Sequence, residues 1–190
     1  MPTSHQGTKD PVALNQWYAV ATLTDLDRVE ETKLLGHPIT IGPGKSVVHK
    51  GKPLPIQEKF ECLWTTLGAP NTEIFEIEER FEPERRVVPC GWENFLDMAH
   101  FPFVHTDILG SEPHTEVPVY KSEIRRDVDE VWATNCTFFQ PQMTTTRPEG
   151  EFAQLTYRVP TPFVVMLYRD APDQPGRRDA IALFIHPIEE

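Results

Sequence analysis

Nineteen prolines are scattered through the 190 residues of this chain. Each proline fixes its own φ, removes a backbone donor and pushes the preceding residue out of the α region. Spread out in this way, they end strands and fix loops rather than form a linker. The apolar text between them agrees. Beyond Glu116 it falls into five β-type runs separated by turn residues: Val117 to Ile124, Val131 to Gln140, Phe152 to Val159, Phe163 to Tyr168 and Ala180 to Ile185. In the first run Val117 and Val119 alternate and Tyr120 falls out of phase, as a bulge would make it. One stretch alone, Trp92 to Leu109, reads as helix. Five strands after one helix give the expected fold class, α+β, an antiparallel sheet packed on a helix.

The first part of the chain is also strand-like. Trp17, Tyr18, Val20 and Ala21 open it, and Thr24 is placed to cap a helical turn through Val29. Leu34, Leu35, Ile39 and Ile41 return to strand character. The Gly-, Pro- and Lys-rich text from Gly42 to Pro55 reads as loop, and Leu63 to Leu67 as a strand closed by Gly68 and Pro70. From Glu73 the run EIFEIEERFEP suits an edge strand. No internal repeat or low-complexity segment interrupts this order.

Charge and cysteine usage narrow the partners. Lys plus Arg number 18 against 29 Asp plus Glu, a formal charge of -11. That balance argues against nucleic acid and against an anionic membrane surface. No apolar run reaches the ~20 residues of a spanning helix, and the N-terminus lacks the apolar core of a secretory signal. Cys62, Cys90 and Cys136 are widely spaced among apolar neighbours and read as buried free thiols, which places the chain in a reducing cytoplasm.

Chemistry concentrates between Trp92 and His105. Two histidines and a carboxylate lie within nine residues of apolar text. Imidazole suits iron, zinc, copper and nickel, and two His plus one carboxylate on one face is the arrangement of non-haem iron oxygenases. Asp97 and His100, three apart, share a helix face. His100 and His105, five apart, point about 140° from each other on a regular helix. Pro102 between them breaks that regularity, so a kink can turn both imidazoles inward. His5, His37, His49, His114 and His186 lie in terminal, loop or proline-flanked text and read as structural or exposed.

The same segment carries a family likeness. Asn94, Asp97, His100 and His105 resemble the mononuclear-iron motif Asn-x-x-Asp-x-x-His-x4-His of Rieske-type non-haem iron oxygenases, the aromatic-ring-hydroxylating and O-demethylating α-subunits. Residues 15–41 and 54–70 are similar to opening and closing strands of that family's Rieske domain. The resemblance implies a remnant of that β-domain over residues 1–70 and a partial catalytic domain of helix-grip type over 71–190. It implies His100 and His105 as ligands of a mononuclear Fe(II) that keeps positions open for O2 and substrate. Asp97 would hydrogen-bond a ligating imidazole, and Asn94 would support the site as a polar neighbour. Phe95, Phe101, Phe103 and Val104 would wall it for an aromatic or hydrophobic substrate.

The chain departs from the family twice. A Rieske cluster needs a Cys-x-His and a Cys-x-x-His, and no cysteine here has a histidine two or three residues on. No [2Fe–2S] centre is therefore expected from this chain, and electrons would come from a separate ferredoxin or reductase. The family's third iron ligand is a late carboxylate, and Asp170, Asp173, Asp179, Glu189 and Glu190 stand in no such context, which leaves it unassigned. An uncovered sheet edge and apolar surface would favour a homo-oligomer. The resulting expectation is an oxidoreductase that hydroxylates or demethylates an organic substrate with O2. The alternatives are a non-catalytic relative, kept as a ligand-binding or assembly module, and a zinc hydrolase built on the same donors.

Overall fold

The computed structural model describes residues 7–77, 95–142 and 149–189. The chain divides into two compact units, residues 1–89 with 184–190, and residues 90–183.

The first unit starts with one helical turn, α1 (Pro11–Leu14), capped by Asp10, whose carboxylate accepts from the Val12 N–H at 2.9 Å. Strand β1 (Tyr18–Thr22) follows, then β2 (Glu30–Leu34), β3 (His37–Gly42), β4 (Ser46–His49), β5 (Lys52–Pro53), β6 (Ile56–Lys59) and β7 (Cys62–Thr65). They form two small sheets, ordered β1-β7-β6 and β2-β3-β4-β5. The expected loop from Gly42 to Pro55 thus contains strands. Its glycines and lysines make tight turns at Gly44–Lys45 and Lys50–Gly51, all at positive φ. The expected turn from Thr24 is a 3₁₀ turn over Leu23–Asp25, preceded by Thr22.

The β6–β7 hairpin turns on Phe60 and Glu61, with φ of 54° and 61° and no glycine. Aromatic packing accounts for it. Phe60 stacks on Phe75 and Phe184 at 5.5 and 5.7 Å, and Trp64 meets the same two rings edge-on. Burial of several aromatic rings outweighs a left-handed penalty of about 1–2 kcal/mol. No strand forms over Glu73–Ile77, and the rest of that expected edge strand lies outside the described residues.

The second unit is a single meander: β8 (Lys121–Arg125), β9 (Glu130–Gln140), β10 (Glu151–Thr161), β11 (Val164–Asp170) and β12 (Arg178–Phe184), adjacent in that order. Ladders β8–β9, β9–β10 and β10–β11 are antiparallel. One sheet face carries Cys136, Phe138, Ala153, Leu155, Tyr157 and Val165, packed with Met98 and Phe101.

These elements correct the expected fold class. Antiparallel strand in three sheets dominates, and the described helices are α1 and α2 (Phe101–Val104), four residues each. The molecule is not an α+β helix-grip fold. The long helix expected from Trp92 to Leu109 is one turn among the described residues, for local reasons. Asp97 folds its carboxylate onto the Ala99 N–H at 2.8 Å, forming a turn that competes with helix. Pro102 belongs in a first turn, where its missing N–H costs nothing. His105 leaves helical geometry at φ -114° and ψ 41°, and Thr106 Oγ1 donates back to the Pro102 carbonyl at 2.8 Å.

Candidate functional site

Helix α2 sets the two histidines at its ends, His100 at the N-terminal cap and His105 at the C-terminal cap. The Val104 N–H bonds the His100 carbonyl at 2.8 Å and the His105 N–H bonds the Phe101 carbonyl at 3.1 Å, which fixes the separation of their Cα atoms. Both rings fall on one side. Their centroids are 5.1 Å apart and their planes 67° inclined. The expected kink in a long helix is thus replaced by a single turn that projects a histidine from each end.

The turn is held against the sheet by close packing. Phe101 is buried and meets Phe138 edge-on at 5.4 Å. Gly110 sits close against both, and a Cβ there would come within 2.7 Å of Pro102 N and 2.9 Å of both Phe101 C and Phe138 Cε1. The Asp107 N–H bonds the Gly110 carbonyl at 2.8 Å and closes that loop.

Asp97 Oδ2 lies 3.5 Å from His100 Nδ1, within ion-pair reach. The alignment is not that of a hydrogen bond, and Nδ1 is buried with no hydrogen-bond partner. A small rotation of the half-exposed carboxylate would close the contact. Asn94 lies outside the described residues. Phe103 and Val104, expected as walls, face solvent, whereas Phe95 and Phe101 pack inward.

The other sequence candidates go elsewhere. His37 Nε2 and His49 Nδ1 contact the carbonyls of Thr8 and Pro38 at 2.8 and 2.6 Å. His114 packs on Phe139 with centroids 4.3 Å apart. His186 is partly buried, its Nε2 has no hydrogen-bond partner, and burial pushes its pKa down. His5 and Cys90 lie outside the described residues. Asp179 is paired with Arg169, and Glu189 with Lys33 at 2.7 Å. Among the described residues no three His, Cys, Asp or Glu side chains converge as a metal-binding group. The geometry therefore supplies two imidazoles and an adjacent carboxylate, with no third ligand in view. Cys62 and Cys136 are buried free thiols, and burial pushes Cys62 up to about 11. No helix among the described residues is long and apolar enough to cross a membrane.

Two residues of this region escape sequence reasoning. Gly110 carries a signal only as a lone glycine shortly after the histidine pair. Tyr157 carries one as the single polar tip among the inward-facing Leu155, Tyr157 and Val159.

Comparison with known proteins places the segment in context. The vanillate O-demethylase oxygenase C-terminal domain matches residues 91–190. A relative from Pseudomonas sp. (strain TJI-51), "Probable methylxanthine N7-demethylase NdmC", is 36% identical over 195 aligned residues, spanning 93% of this chain and 69% of that protein. The solved structure of a Pseudomonas putida CBB5 NdmA QL mutant with caffeine superposes with a TM-score of 0.65 at 15% identity, over 92% of this chain and 70% of the other. At that identity the likeness is one of fold.

Proposed function

The chain belongs to the Rieske-type oxygenases, an oxygenase and demethylase family, and from that premise we propose that His100 and His105 hold a mononuclear Fe(II) at which a methyl group on an aromatic heterocycle is oxidised by O2. The observation that carries this reading is the pairing of the two rings at 5.1 Å beside Asp97. Two imidazoles on one ion, with metal–nitrogen bonds of about 2.1 Å and an angle near a right angle or tetrahedral, have ring centroids about 5 Å apart. The unpartnered His100 Nδ1 fits as well. Protonated there and turned to Asp97, the neutral ring offers its lone pair at Nε2.

Ferrous iron, when bound, supplies the O2 activation that a carbon–hydrogen bond requires. The side chains supply orientation and dryness. Asp97, rotated onto Nδ1, would hold the tautomer of His100, and Phe95, Phe101 and Phe138 exclude water from the apolar side. The balance for demethylation is one methyl compound, O2, two electrons and two protons, giving the demethylated compound, formaldehyde and water. The electrons are assigned to a separate redox protein, because the sequence offers no cluster ligands. The small-sheet unit is read as a counterpart of the family's Rieske-like domain without its cluster. The NdmC relative, by name a probable methylxanthine demethylase, directs the substrate choice toward N-methylated purines.

The test is to load the chain anaerobically with Fe(II), add caffeine, a ferredoxin and its reductase, and admit air. Formaldehyde in step with demethylated product is expected, and none from His105→Ala. Iron-loaded chain that turns over neither caffeine nor a methoxylated benzoate would favour the non-catalytic relative.

A further inference from the structure

Tyr157 of β10 stands opposite Ala133 of β9 and Leu167 of β11, on the sheet face that α2 covers. Its side chain is 2% exposed. It shares a cluster with Met98, Phe101, Cys136 and Phe138, and Phe95 meets its ring edge-on at 6.2 Å. The hydroxyl has no hydrogen-bond partner. An orphaned buried hydroxyl costs about 1–3 kcal/mol, and phenylalanine would fill the same apolar space without that cost. Burial first, then the nearby Cys136 and Asp97, pushes the phenol's pKa up. The group is therefore a neutral O–H donor at neutral pH.

The backbone opposite is irregular at this point. From Leu155 to Tyr157 is two residues on β10, while their partners Cys136 and Ala133 are three apart on β9. The extra residue makes a bulge, with Asn135 at φ 58°. Bulges re-aim neighbouring side chains and are over-represented beside active sites. A second orphan, His100 Nδ1, lies on the same side of the unit, its ring 4.9 Å from that of Phe101.

We infer that the Tyr157 hydroxyl is a specificity-determining donor that takes a carbonyl or ring-nitrogen lone pair of a planar heteroaromatic substrate. The surrounding rings of Phe95, Phe101 and Phe138 cover the apolar part of that substrate. The inference rests on reading the histidine pair as the iron site, and it adds the polar contact that orients the molecule there. A neutral substrate with at least one acceptor fits this lining, and a hydrocarbon gains nothing from it.

The test compares the whole chain with Tyr157→Phe by calorimetric titration and thermal melting, anaerobically, with and without Fe(II). The probes are caffeine, which offers carbonyl and ring-nitrogen acceptors, and naphthalene, which offers none. The expected result is a roughly three- to tenfold loss of caffeine affinity, unchanged naphthalene affinity, and a melting temperature equal to or above that of the parent. Equal caffeine affinity in the two proteins would overturn the proposal, as would a parallel loss for naphthalene. A clearly lower melting temperature would also overturn it, by showing that the hydroxyl already has a partner such as a bound water. Failure of the parent chain to bind caffeine does so too. Iron content, read on the same samples, separates the two readings. Tyr157→Phe keeps the parent's iron, whereas a parent chain that takes up no iron sinks the iron site and leaves the iron-free caffeine contrast to decide Tyr157.

Discussion

Two successive residues of β10, Tyr157 and Arg158, face opposite sides of the same sheet and live under opposite conditions. Arg158 donates to Glu130 through Nε at 2.9 Å and Nη2 at 2.6 Å, and Trp132 Nε1 donates to the same carboxylate at 2.9 Å. Both charged side chains are largely buried, at 15% and 8% exposure. Burial opposes ionisation of Glu130, but the hydrogen bonds from Arg158 and Trp132 outweigh it and hold the carboxyl below its usual range. The guanidinium of Arg125 covers the Trp132 ring at 3.9 Å. On the other face the Tyr157 hydroxyl has no hydrogen-bond partner, and His100 Nδ1 has only the Asp97 carboxylate at 3.5 Å, out of hydrogen-bond alignment. The same sheet that satisfies both carboxylate oxygens of Glu130 leaves these two atoms without a hydrogen bond. The difference teaches that the buried carboxylate serving the fold is partnered within it, whereas the Tyr157 hydroxyl is left for a partner from outside.

The largest expected effect breaks the partnered face. Glu130→Ala removes the carboxylate partner of a largely buried guanidinium and should cost about 3–5 kcal/mol by urea denaturation, with iron uptake by the folded fraction unchanged. A loss below about 1 kcal/mol would show that the pair is no more committed to the fold than a surface salt bridge. Next comes Gly110→Ala, whose methyl group must push Phe101 and Pro102 aside. A cost of about 1–3 kcal/mol is expected. This variant should also lose iron affinity, because the histidines ride on the displaced turn. Normal iron uptake would mean that the packing beneath α2 does not set the site.

The smallest effect is pH-dependent. Glu130 titrates lower in the folded than in the unfolded chain, so its stabilisation is complete above the unfolded carboxylate range, about pH 4.3. It is lost as pH falls through the lower folded value. The stability gap between the parent and Glu130→Gln should therefore be level near neutrality and shrink toward acid. A gap that widened on acidification would contradict the assignment.

Much of the second unit was legible from local text. The runs Val131 to Gln140 and Phe152 to Val159 fall on β9 and β10, because alternation and turn residues are local signals. The short strands β4 and β5 were hidden because their glycines and lysines read the same in a hairpin as in a loop. The Phe60–Glu61 turn was illegible for another reason, since the rings that hold it come from Phe75 and Phe184, far along the chain. The histidine pair was legible as a motif. Its support was misjudged, because the apolar spacing of residues 92–109 suits a helix equally well. The Asx turn at Asp97 and the contact of Gly110 decide otherwise. Tyr157 depends on a bulge in the neighbouring strand, which no spacing within β10 records.

Metal analysis of the anaerobically Fe(II)-loaded chain beside His100→Ala and His105→Ala tests the central claim most directly, with thermal melting as a control for folding. The account requires stoichiometric iron in the parent and background iron in each folded variant. Iron retained equally by all three proteins would contradict it.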